Sequence, residues 1–71
     1  HFMISHGLVR NLISNFHYEM AFNLLYNNSK ILYKSSYRTT GNRIRNIGGI
    51  FQGYHWDCEF VNGRLFKIHI I

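Results

Sequence analysis

The sequence predicts a small, partly extended α+β domain: one N-terminal helix, a basic irregular loop and a C-terminal β-hairpin. A short second helix over residues 54–61 is the alternative to that hairpin. Three observations carry this reading. Apolar residues recur at helical spacing between residues 8 and 26. The positive charge is gathered in one acid-free stretch. Residues 56–71 alternate apolar and polar around Asn62-Gly63.

The helix comes first. Val9, Leu12, Ile13, Phe16, Met20 and Leu24 follow three- and four-residue steps, and Leu8, Phe22 and Leu25 widen the apolar stripe. Ser5 is a suitable N-cap, and Asn27-Asn28 a suitable stop, because Asn tolerates the left-handed conformation that ends helices. A helix over residues 8–26 would be about 28 Å long at 1.5 Å per residue. Its polar positions are mostly uncharged: Asn11, Ser14, Asn15, His17 and Asn23. Such a helix is either a docking face for a partner or the chain's own core, with the hairpin folded on it.

Residues 29–49 carry Lys30, Lys34, Arg38, Arg43 and Arg45, with several Ser, Thr and Asn residues and Gly41, Gly48 and Gly49. Ile31-Leu32-Tyr33 could make a short extended piece, but the rest shows neither helical nor strand period, so it reads as a basic extended loop. In residues 56–71 a three-residue turn, Asn62-Gly63-Arg64, sets Phe60 opposite Phe66, Cys58 opposite Ile68 and Trp56 opposite Ile70. The other face then pairs Glu59 with Lys67 and Asp57 with His69.

The charge arithmetic locates the interesting segment. The 71 residues carry a formal net charge of +5. Arg10 and Glu19 cancel in residues 1–29, and Arg64 and Lys67 cancel Asp57 and Glu59 in residues 46–71. The whole excess therefore lies in residues 30–45. The length fits a single domain over residues 1–71, small enough that its core usually needs a staple or a partner. One cysteine excludes an internal disulfide. No run of about 20 apolar residues offers a membrane span. Arg10, Asn11, Asn15 and His17 interrupt the stretch that would have to serve as a signal peptide. An aromatic content of 17% argues against disorder.

The basic stretch is the functional candidate. Its cations suit phosphates, and its hydroxyls and backbone N–H groups suit phosphate and ribose. Tyr33 and Tyr37 can stack on unpaired bases. The residues expected to bind RNA are thus Lys30, Tyr33, Lys34, Tyr37, Arg38, Arg43 and Arg45; the competing reading is a solvated basic surface. His55 and Cys58 form an H-x-x-C pair, but structural zinc wants four ligands, so no metal is expected. No cofactor and no catalytic residue are expected either. Three acids and one cysteine leave few catalytic arrangements, and Gly48-Gly49 lacks the setting of a phosphate-binding fingerprint.

Several segments resemble ribosomal proteins of organellar type. Arg38-Thr39-Thr40-Gly41, then Arg43 and Arg45, then Phe51 and Gly63-Arg64-Leu65, resemble the basic stretch, Arg pair, aromatic and final turn of the small-subunit ribosomal protein fourteen family. Tyr54-His55 stands where that family usually has Ser-Arg at the start of a short helix. Phe60-Val61-Asn62-Gly63-Arg64 with Phe66 and Ile70 is similar to the hairpin of small-subunit ribosomal protein nineteen. Gly48-Gly49 through Glu59-Phe60 is similar to the glycine-rich segment of large-subunit ribosomal protein two. The abundance of Ile, Asn, Tyr and Phe, all with AT-rich codons, points the same way. The resemblance implies a structural constituent of a mitochondrial ribosome, placed in the matrix and, by the first family, in the small-subunit head. Its partners would be ribosomal RNA and neighbouring ribosomal proteins, with no small-molecule substrate. The alternative is a non-catalytic accessory subunit of an organellar membrane or respiratory complex, resting on the weakly charged helix.

Overall fold

In the computed structural model, residues 4–39 and 42–71 are described, without the side chains of residues 37–39, 42 and 43. The order of elements is α1 (His6–Ser14), α2 (Tyr18–Asn28), β1 (Lys30–Thr39), β2 (Asn42–Phe51), β3 (Tyr54–Val61) and β4 (Arg64–Ile70). The four strands form one antiparallel sheet in the order β1-β2-β3-β4. This corrects the expected fold class: the single helix is two helices, the basic loop is a strand pair, and the C-terminal hairpin is not a separate element but half of a four-stranded sheet. The alternative to the hairpin, a short helix over residues 54–61, is the strand β3.

The helix divides where its sequence stops favouring helix. Ser5 does cap α1, its Oγ accepting from the Leu8 N–H at 3.1 Å. At the other end Ser14 and Asn15 turn their side chains onto the carbonyls of Arg10 and Asn11, at 3.0 and 2.9 Å, competing with the backbone ladder. The His17 N–H then donates to the Leu12 carbonyl at 2.8 Å and the Phe16 N–H to that of Ile13 at 3.0 Å. This is the Schellman arrangement, and Phe16 fills its left-handed position at φ 61°. The break turns α2 so that Ala21 and Leu25 join Val9 in the core, all three fully buried. Phe16 and Met20, placed on the apolar stripe of a single helix, are exposed instead.

The strands β2, β3 and β4 present one apolar face to the helices. Ile47 and Phe51 of β2, Trp56, Cys58 and Phe60 of β3, and Ile68 of β4 are buried there. Phe22 of α2 sets its edge against Phe60 and Trp56, with ring centroids 5.1 and 6.3 Å apart, a geometry the ring quadrupoles favour. The Trp56 indole donates to Ser29 Oγ at 2.9 Å, fastening the end of α2 to the sheet. His6 of α1 stacks on Tyr54 at 3.9 Å, and the Gln52 amide donates to the Ile4 carbonyl at 2.8 Å. The helices are therefore the core of this chain, one of the two roles open to them. Among the described residues no helix is long and apolar enough to cross a membrane.

Two turns set the sheet register. Gln52-Gly53 and Asn62-Gly63 both have two successive positive φ values, 50° and 84°, then 52° and 80°, as two-residue turns matching the strand twist require. Trp56 lies opposite Ile70, Asp57 opposite His69, Cys58 opposite Ile68 and Glu59 opposite Lys67, in the pairing the alternation indicated. The turn itself is one residue shorter than expected. A bulge between Glu59 and Phe60 absorbs the difference by moving Phe60 from Phe66 onto Leu65, which leaves Phe66 exposed at the edge.

Phe16 offers a direct test of the helix break. A non-glycine residue in this conformation costs about 1 kcal/mol or more, and the Phe16 side chain is 78% exposed, so little packing offsets it. Phe16→Gly should raise the stability of the chain by about 1 kcal/mol, read as an upward shift of the thermal midpoint. The equivalent change at buried Ala21 should lower it.

Candidate nucleic-acid interface

The basic segment is a two-stranded ribbon. Lys30 pairs with Ile50 and Ile31 with Gly49; the register then slips, so that Tyr33 meets Gly48, Lys34 meets Ile47, Ser36 meets Arg45 and Arg38 meets Arg43. The slip is a bulge, and it explains why this stretch shows no strand period. Up to Ile31 the odd positions of β1 lie on the helix side of the sheet. Beyond the bulge Tyr33 lies on the opposite side and Lys34 on the helix side.

Gly48 and Gly49 make the ribbon possible. A Cβ on Gly49 would lie 2.5 Å from the Lys30 carbonyl oxygen, and one on Gly48 would fall within 2.4 Å of the Tyr33 ring. The first contact requires close approach of two backbones and the second lays an aromatic ring across the empty position. These glycines are thus packing residues of the strand pair, not a phosphate-binding loop.

The structure divides the expected site residues into three groups. Lys30, Tyr33 and Lys34 lie exposed on β1, the edge strand. Lys34 Nζ sits 5.0 Å from the centroid of the Tyr26 ring on α2. Arg45 of β2 lies on the helix side, its guanidinium 4.4 Å from the centroid of Phe60. For Tyr37, Arg38 and Arg43 only the strand position is described: Tyr37 opposite Ile44, and the two arginines opposite each other. Their side chains lie outside the described residues.

Two cations are thus held over aromatic rings on one side of the ribbon. Such contacts contribute about 0.5–1 kcal/mol at exposed sites. They limit the wandering of a long side chain while leaving its donors facing solvent. Beside Arg45 an open groove of about 570 Å³ is lined by Ser36, Arg45, Phe60, Asn62 and Gly63. Phe60, Tyr26 and Ser36 were not among the expected site residues. The signal for Phe60 was present in the sequence, since positions 45, 47, 49 and 51 alternate in step with 60, 58, 56 and 54 across an antiparallel pair.

The other side of the sheet has a different character. Tyr33, Asn46, Asp57, Glu59 and Lys67 line a shallow cleft of about 170 Å³, with Cys58 at its floor. Loss of solvent around the Tyr33 phenol pushes its pKa above the ordinary value, and the Asp57 carboxylate adds to the effect.

The H-x-x-C pair is separated by the strand pleat. Cys58 points into the core, whereas His55 is exposed, opposite Ile50. Burial pushes the Cys58 thiol up to about 11, so it is neutral near pH 7 and behaves as a small apolar residue. Among the described residues no group of three His, Cys, Asp or Glu side chains is arranged to hold a metal ion.

Comparison with protein-family models, with curated proteins and with solved structures yields no match. The function is therefore argued from the geometry of the ribbon itself.

Two measurements test this geometry. Gly49→Ala should destabilise the chain by about 1–3 kcal/mol, because the opposing atom is backbone and cannot swing aside. Gly48→Ala should cost less, because the Tyr33 ring can move. Equal losses in denaturant titrations of the two variants would contradict the arrangement. For Cys58, a raised pKa in the folded state means that the unfolded chain gives up its thiol proton first. Stability should be independent of this group below about pH 9 and should fall between pH 9 and about 11. A thiol reagent at pH 8 should label Cys58 slowly until denaturant is added.

Proposed function

We propose that this chain is a non-catalytic RNA-binding protein that grips phosphates with its β1–β2 ribbon. The observation that carries the reading is the pair of cations held over aromatic rings, Lys34 on Tyr26 and Arg45 on Phe60, beside an open groove. They belong to a segment, residues 30–45, that contains five Lys and Arg and no acid. Cations restrained by ring contacts lose less side-chain freedom when they meet a phosphate, which favours binding. A ribbon with Lys30 and Lys34 on its edge strand and Arg45 on its neighbour would follow a nucleic-acid backbone and position it without reading sequence.

The assembly that the sequence resemblances name is a mitochondrial ribosome, with ribosomal RNA and adjoining ribosomal proteins as partners. We carry that forward as part of the proposal. The short helix implied at residues 54–61 by the first family is the strand β3. The small-subunit protein fourteen family is therefore not favoured over protein nineteen or large-subunit protein two.

The test is the salt dependence of binding to structured RNA. Affinity should fall steeply as salt rises, because each neutralised phosphate releases counterions. Arg45→Gln and Lys34→Gln should each weaken binding across unrelated RNAs to a similar degree and reduce the slope of log K against log salt by about 1. An affinity insensitive to salt would overturn the proposal.

A further inference from the structure

The ribbon's second face holds an aromatic ring that phosphate binding does not use. Tyr33 is 44% exposed and stands at the edge-strand end of a four-stranded row, Tyr33, Gly48, Asp57 and His69. Three features fix it there. The bulge after Ile31 directs it away from the helices. Gly48 leaves a bare patch of backbone on which its ring rests. The cleft walls, Asn46, Asp57, Glu59 and Lys67, stand on the next strands. The Gly48 contact accounts for one face of the ring, as aromatic rings commonly cover strand glycines. It leaves the opposite face to solvent.

The charges around this ring differ from those on the other side. Lys34 and Arg45 lie on the helix side, whereas Asp57, Glu59, Lys67 and, at the start of the edge strand, Lys30 lie on the Tyr33 side. Lys67 stands opposite Glu59 and offsets part of the carboxylate charge, so the cleft carries no surplus of cations to hold a phosphate, and the ligand group suited to it is planar, aromatic and uncharged. Lys30 and Lys34 flank Tyr33 on the same edge strand, where a backbone held by the cations would bring a base within reach.

We propose that Tyr33 is the stacking platform for one unpaired nucleobase, so that the preferred ligand is RNA with a nucleotide turned out of its helix. The inference rests on the RNA-binding reading above and specifies the class of RNA. The phosphates stay with Lys30, Lys34 and Arg45, while one base crosses the edge of β1 onto the open sheet face. Stacking on an aromatic side chain tolerates any base identity, so the selectivity is for an unpaired nucleotide and not for a sequence.

The experiment compares two RNAs, a perfect duplex and the same duplex carrying one unpaired nucleotide, against the full chain and its Tyr33→Phe and Tyr33→Leu variants. The wild-type chain should bind the second RNA roughly tenfold more tightly. Tyr33→Phe should keep that preference. Tyr33→Leu should lose it while retaining the salt-dependent affinity for the perfect duplex. A measurement free of any variant is the Tyr33 ring proton resonances, which should move upfield with the second RNA and stay in place with the first. Equal affinity for the two RNAs, or a preference that survives in a folded Tyr33→Leu chain, would overturn the inference and leave phosphate binding standing. Binding to neither RNA would overturn both.

Discussion

The approach of β1 to β2 at Gly48-Gly49 is the contact on which the rest of this structure depends. The Lys30 carbonyl comes so close to Gly49 that no side chain could stand between them, and the Tyr33 ring takes the space above Gly48. Without these two vacancies β1 could not lie flat along β2 at its first residues. The sheet would then begin at β2, and the Trp56–Ser29 hydrogen bond would hold α2 against three strands whose outer edge carried Ile47 and Phe51. β1 shields that edge. Its bulge shifts the alternation by one position, so adjacent residues Tyr33 and Lys34 emerge on opposite sides of the sheet.

That one-residue shift also sorts the chemistry. A basic stretch with a continuous strand period would have shared its cations and aromatics differently between the two faces. Here Lys34 and Arg45 come to the side where the chain keeps Tyr26 and Phe60, so each cation meets a ring. The opposite side receives Tyr33 and, from β3, both acids of the sheet, Asp57 and Glu59. The two faces of one thin layer thereby differ in charge: Lys34 and Arg45 stand on one, and Asp57 and Glu59 face Lys67 and Lys30 on the other.

How much of this could be read from the sequence follows from which elements are regular. β3 and β4 keep a clean two-residue alternation, and the pairing of Trp56 with Ile70 through Glu59 with Lys67 is the one that alternation dictates. Only the stretch next to the turn departs, where a two-residue turn and a bulge replace a longer loop. Ser5 was legible as a cap for the same reason: it satisfies a local rule. The helix break was not legible, because Phe16 continues the apolar spacing while its backbone adopts the conformation usually left to glycine. The ribbon was hidden by its own construction. A bulge cancels the period, Gly48 and Gly49 contribute no hydropathy, and Ser35 and Ser36 make both faces polar. The cations of residues 30–45 stood out as charge, but the rings that hold two of them lie on α2 and β3, distant in sequence and joined only by the fold.

An exposed edge strand is a hazard, because its free N–H and C=O groups invite pairing with another chain, and charged residues on the edge are a common defence. β1 carries Lys30 and Lys34 along such an edge, and that alone could account for them. The defence does not account for where the charges are held. A lysine protects an edge best when its side chain ranges freely over it, yet Lys34 is drawn to Tyr26, back over the helix side. Arg45 is on an inner strand, β2, where no edge needs protection, and it is stacked on Phe60 beside an open groove. Edge protection therefore explains Lys30 and part of Lys34, and leaves Arg45 without a role. The phosphate-binding surface we propose would use Lys34 and Arg45 together on the helix side with Lys30 at the strand's edge, and the protection of β1 would follow from the same charges.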